Sequence, residues 1–172
     1  MITKQRVRER RLAKTRWVET FKGVVLASEY HAEAYMNSQM YVSRFDQATW
    51  FLLHAIGVTP ASIKKQKLRV AIVRQNYQFL AELRGGELVT IRSAFFAVGA
   101  KYVRFIHQMF DSVTARMVGT SDCTAVLASL KTGKGIKLPD GFRRRGKAHL
   151  VSTNDRTASD GSGARRKKRV RG

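Results

Sequence analysis

The stretch YMNSQMYVSRFDQATWFLLHAIGVTP, residues 35–60, decides how the rest of the 172-residue chain is read. From Ser38 to Ile56, Tyr41, Phe45, Ala48 and Leu52 recur at helical spacing, and Val42, Thr49, Leu53 and Ile56 widen the stripe. Asn37 or Ser38 offers a short side-chain oxygen to the orphan N–H groups of a first turn. Gly57 suits the position just past a helix end, and Pro60 prevents continuation. The pattern predicts one helix of about nineteen residues and ~28 Å. Its apolar face is wide, so the rest of the chain is expected to cover it.

Upstream, Trp17 to Glu29 mixes Val18, Phe21, Val24, Val25 and Leu26 with small residues and reads as a strand, followed by a polar stretch at 30–37. Downstream the pattern turns to β. LRVAIVRQNYQFLAELR (68–84), ELVTIRSAFFAVG (87–99), KYVRFIHQMFDSV (101–113) and ARMVGTSDCTAVLASL (115–130) read as four strands. Gly85-Gly86 is expected to form a hairpin turn, because glycine tolerates positive φ, and Gly99-Ala100 another turn. Short connections imply antiparallel neighbours. The expected class is α+β: a curved antiparallel sheet of about five strands wrapped around one long, nearly buried central helix.

Charge divides the chain in three. Residues 1–16 carry seven Lys/Arg and one acid, residues 142–172 carry eleven and two, and the middle, 17–141, carries fifteen and nine. The expected organisation is a basic N-terminal arm (1–16), a domain (17–141) and a basic, largely disordered C-terminal tail (142–172). Cys123 is the sole cysteine, which excludes an intrachain disulfide and a Cys-rich zinc site; no metal and no cofactor is expected. No apolar run reaches the ~18 residues of a membrane span. The N-terminus lacks the apolar core of a secretory signal. It is Arg-rich and nearly acid-free like an organelle transit segment, but without the serines. The compartment is expected to be the cytoplasm, with the mitochondrial matrix as the alternative.

The order of strand, polar loop, long helix and four strands resembles the hotdog fold. Residues 35–60 resemble the stretch at which 4-hydroxybenzoyl-CoA-type and related acyl-CoA thioesterases read Gly-His-Met-Asn, Tyr, Phe-Asp-x-Ala and Gly-Leu. Asn37, Tyr41, Phe45, Asp46, Ala48 and Gly57 stand at matching positions. The likeness covers about residues 18–140. It implies hydrolysis of an acyl-coenzyme A thioester by a dimer or tetramer, with the site between two helices. The loop before each helix would point backbone N–H groups at the thioester carbonyl, where a helix N-terminus suits a developing oxyanion. A carboxylate would act as nucleophile or as general base for water.

The family's loop carries an Asp six residues before the Asn, and Gly-His before Met-Asn; here those positions hold His31, Ala34 and Tyr35. His31 is therefore one catalytic candidate, with an ordinary imidazole pKa of about 6.5. Glu33 is a second, although it reads more readily as a first-turn acid favoured by the helix dipole. Asp46, on the helix, is a third. Tyr35, Met36 and Asn37 form the expected substrate-binding stretch, in which Asn37 reads as a cap rather than an oxyanion donor. His54, His107 and Cys123 read as structural. The cations Arg143, Arg144, Arg145, Arg165, Arg166, Lys167, Lys168 and Arg169 are expected to meet RNA or another polyanion. The alternative function is a non-catalytic hotdog scaffold anchored by its basic arms to RNA in a ribonucleoprotein such as a ribosome.

Overall fold

The computed structural model describes residues 16–30 and 34–151. Strand β1 (Val18–Val24) leads through a short 3₁₀ turn (Ala27–Glu29) to the long helix α1 (Ser38–Ala55), then to α2 (Pro60–Lys65). Four strands follow, β2 (Leu68–Phe79), β3 (Leu88–Val98), β4 (Tyr102–Asp111) and β5 (Met117–Ser129), and then a helix α3 (Asp140–Ala148). Asn37 caps α1, its Oδ1 accepting the Gln39 N–H at 3.0 Å. The helix stops at Gly57, whose φ of +86° favours glycine, and Pro60 starts α2 under a Thr59–Ser62 capping box.

The five strands form one sheet in the order β1-β3-β4-β5-β2, and every neighbouring pair is antiparallel. This corrects the hairpin expected at Gly85-Gly86. Strand β2 ends at Phe79 and pairs with β5, not β3. The linker 80–87 instead crosses the end of the sheet, where Gly86, at φ +85°, donates to the Val25 carbonyl at 2.9 Å. Leu83 belongs to no strand; it is buried beneath the linker, which is why residues 80–84 continue an apolar pattern. Strands β1 and β2 are the two sheet edges.

Helix α1 packs on the sheet and divides the core. Tyr41, Phe45 and Ala48 join Val25, Met36, Leu83, Ile91 and Met109 in one cluster. Leu52, Leu53 and Ile56 join Phe95, Val103, Phe105 and Leu127 in a second. A polar seam runs between them: Thr20 to Ser93 at 2.6 Å, Ser93 to His107 Nδ1 at 2.5 Å, and His107 Nε2 to Thr49 at 2.9 Å. The helix is less covered than expected. Ser43, Asp46, Gln47, Trp50, Phe51 and His54 remain exposed along one stripe, because the sheet wraps a single side.

The expected boundary at 141/142 falls inside α3, another correction. Phe142 and Gly146 are buried, Arg145 Nε donates to the Ile56 carbonyl at 2.7 Å, and Val151 N–H bonds Phe95 O. The described fold therefore includes α3 and reaches Val151. The remainder of both basic arms lies outside the described residues. A five-stranded antiparallel sheet wrapped around one long helix is the hotdog arrangement.

Candidate active site

The loop before α1 is clasped at its base. Tyr30 and Met36 form an antiparallel bridge, and Asn37 N–H donates to Glu29 O at 2.9 Å. Met36 N–H donates to Leu83 O at 2.8 Å, and Gly85 N–H to Ala34 O at 3.1 Å. Ala34 sits at φ +62°, in the left-handed region, at the position where the resembling family has glycine. The chain thus keeps the turn a glycine would make, at a cost of about 1 kcal/mol for the Cβ.

Arg44 secures the other side of the loop. This guanidinium is buried, and Nη2 donates to Val24 O at 2.7 Å and to the Glu29 carboxylate at 2.5 Å. Glu29 also accepts the Leu26 N–H at 2.7 Å, which closes the 3₁₀ turn. Burial of an ion pair is costly unless its hydrogen bonds are made, and Arg44 Nε and Nη1 are buried with no partner among the described residues. Here the pair ties β1, the loop and α1 together. Sequence reading missed it, and the one signal was an arginine on the inner face of the predicted helix.

The substrate-binding stretch divides on inspection. Met36 is buried in the core and its N–H is committed to Leu83, so its side chain is not offered to a ligand. Asn37 is a cap, and its N–H is committed too. Tyr35 faces outward beside Arg84, whose Nη2 donates to the phenol oxygen at 3.1 Å while the guanidinium lies 5.2 Å from the ring centre. These residues, with Ala81, Glu82, Glu87 and Arg116, line a cleft of about 430 Å³. In the first turn Gln39 N–H goes to Asn37 Oδ1 and Met40 N–H to Asn37 O. That leaves Ser38 N–H as the first-turn donor without a partner among the described residues.

Of the three catalytic candidates, His31 and Glu33 lie outside the described residues. Asp46 is exposed on α1 and faces Tyr77 of β2; burial, helped by the Asp46 charge, pushes the Tyr77 phenol up to about 12. Asp46 is eight residues beyond Ser38, about 12 Å along the helix axis. The two groups cannot meet on one substrate carbonyl within a single chain. Arg143 and Arg144 lie on α3, Arg143 beside Asp140 at 3.5 Å, while Arg145 is held by Ile56 and is no free arm residue. Arg165, Arg166, Lys167, Lys168 and Arg169 lie outside the described residues. No group of three His, Cys, Asp or Glu among the described residues is placed to share a metal ion. No described helix is long and apolar enough to cross a membrane.

A hotdog domain with a clasped loop feeding a helix N-terminus is the class that the fold and the site define. The family model of the thioesterase-like superfamily matches residues 25–146, and the chain belongs to that superfamily. A Staphylococcus aureus protein, SAV2348, solved in complex with CoA, is similar at 11% identity and a TM-score of 0.72, covering 77% of this chain and 85% of its own. Slr0204, a 1,4-dihydroxy-2-naphthoyl-CoA thioesterase from Synechocystis, is similar at 12% identity and 0.67, covering 75% and 95%. A DHNA-CoA thioesterase from Staphylococcus aureus gives 14% and 0.67, covering 86% and 97%. At such identities the likeness is one of fold. No curated protein matches the sequence.

Proposed function

We propose that the chain is an acyl-CoA thioesterase that works as a homodimer, or as a tetramer built from two such dimers. The observation that carries this reading is the Ser38 N–H at the start of α1, without a partner among the described residues and behind a clasped loop, in a chain of the thioesterase-like superfamily. The thioester carbonyl would lie over that N–H, where the helix dipole also favours the developing oxyanion. Water attacks the carbonyl carbon and gives its proton to a general base. The tetrahedral intermediate collapses with loss of the coenzyme A thiolate, which takes up a proton. Arg84 and Arg116, in the cleft beside the loop, offer cations to the CoA phosphates.

Asp46 is the base we favour. It cannot serve its own helix N-terminus, but two antiparallel α1 helices would bring the Asp46 of one subunit to the Ser38 of the other. Strand β2 supports that pairing. Among the described residues it is an edge strand, twelve residues long, with exposed Ile72, Val73 and Phe79, and Asp46 faces it. Such an edge ordinarily needs cover. His31 and Glu33, in the loop itself, are the alternative bases.

The test is thiol release from a panel of aliphatic and aromatic acyl-CoAs. Wild-type protein is expected to turn over at least one of them, and Asp46→Asn to lose kcat by about a hundredfold or more. Turnover of none, or turnover indifferent to Asp46→Asn, His31→Ala and Glu33→Ala alike, would sink the reading.

A further inference from the structure

We propose that the end of the domain opposite the α1 N-terminus binds the phosphodiester backbone of a single-stranded nucleic acid. Three segments meet there. Leu130 N–H bonds Lys67 O at 2.9 Å, Leu138 N–H bonds Ala100 O at 2.8 Å, and Arg145 bonds Ile56 O. Together residues 57–69, 99–101 and 130–147 carry twelve Lys/Arg and a single acid, Asp140, which already lies against Arg143. Lys64, Lys65, Lys67, Lys131 and Lys134 are all exposed, on the last turn of α2 and on the turns beside it. A solvated surface ordinarily intersperses both signs. The opposite end does so, with Glu29, Glu82, Glu87 and Asp111 among Arg84 and Arg116. The cations are therefore segregated in space as well as numerous.

The chemistry of this end separates its possible partners. Leu130 is the sole exposed large apolar side chain in the three segments, and Phe142 of α3 is turned into the core. A bilayer-binding surface would need an apolar face to insert; hydrated phosphates need cations alone. Helix α3 lies flat on the domain through Phe142 and Gly146, so it does not project to enter a duplex groove. Lysines on turns can follow a flexible strand. The arms attach nearby: Arg16 Nη1 donates to Leu150 O at 2.6 Å, so residues 1–15 and 152–172 join the domain at neighbouring points beside α3. Those segments hold six and seven further Lys/Arg. This surface and the proposed thioester site stand at opposite ends of α1, about 27 Å apart, and neither reading depends on the other.

The experiment measures fluorescence anisotropy of a mixed-sequence single-stranded RNA against the full chain over a salt series. Affinity should fall steeply with salt, by about 0.7 in log–log slope for each phosphate contacted. The combined Lys64→Gln, Lys65→Gln, Lys131→Gln, Lys134→Gln variant should lower that slope by about 1.4 or more and weaken binding about tenfold at moderate salt. All four side chains are exposed, so its melting curve should match wild type. Lys22→Gln, at the far end, should leave the slope unchanged. The proposal is overturned if the full chain does not retain RNA at low salt. It is also overturned if the quadruple variant binds like wild type, which would assign binding to the arms alone, or if duplex DNA or phosphatidylserine vesicles are preferred to the single strand.

Discussion

His107 is fully buried between the two halves of the core, with the Phe45 ring stacked 5.9 Å away and the Phe105 ring edge-on at 5.2 Å. Its hydrogen bonds fix the tautomer. Thr49 donates to the Phe45 carbonyl at 3.0 Å, so it must accept from Nε2–H, which leaves Nδ1 to accept from Ser93. The bonds then run in one direction from Thr20 to α1. A proton on Nδ1 would break that order, and burial lowers the imidazole pKa to about 3. The unfolded chain, with an ordinary value of about 6.5, binds the proton more readily. The contribution is therefore full above about pH 6.5 and is lost as pH falls toward 3, the loss amounting to about 2 kcal/mol by pH 5. Urea unfolding at pH 8 and pH 5 checks this: the wild-type midpoint should drop more than that of His107→Gln, which lacks the titrating ring. Equal drops would mean that the ring does not control acid sensitivity. The sequence placed His107 in mid-strand as a structural residue, but nothing in it paired residue 107 with positions 49 and 93. Tertiary registers decide such partners.

At the scale of elements, the long helix and the strand count were legible because hydrophobic period is a local signal. Asn37, Gly57 and Pro60 marked the helix ends for reasons of backbone chemistry that the structure repeats. Strand partners were not legible. Gly85-Gly86 permits a tight turn, but whether the flanking strands then pair depends on where the sheet receives them, and β2 goes to the far edge. Helix α3 was missed because its apolar content is little more than Phe142, among Gly141, Gly146 and five charges. That one side chain nevertheless packs with Leu52, Ile56 and Phe95. Phe142→Ala is expected to lower stability by about 3 kcal/mol, read as a shifted urea midpoint with unchanged slope. A tail merely appended to the domain would show no shift.

For the whole molecule, the described chain is half of the proposed enzyme. Among the described residues nothing covers the β2 edge or the Trp50–Phe51 side of α1, and Asp46 lies about 12 Å along α1 from Ser38, too far to serve it within one chain. Sedimentation equilibrium should therefore give a dimer or an even multiple of one. Val73→Asp, which places a charge on the exposed bulge of β2, should shift it toward monomer with loss of thioester turnover. A monomeric wild-type protein with full turnover would remove the shared site. The candidate site was only half legible in the sequence. The loop and helix start could be read from residues 35–60, whereas the commitment of the Met36 and Asn37 N–H groups, and hence the role left to Ser38, depends on where Leu83 and Glu29 come to lie.

The central claim is that the Ser38 N–H holds the thioester oxyanion, and proline at this position addresses it directly. Ser38 is the first helical residue, where proline removes the N–H yet fits the helix, and Asn37 at φ −62° and ψ 141° already has the conformation favoured before a proline. Ser38→Pro should keep its helical circular dichroism and its KM for the best acyl-CoA substrate while kcat falls by about a hundred- to a thousandfold. A folded Ser38→Pro protein with wild-type kcat would contradict the account.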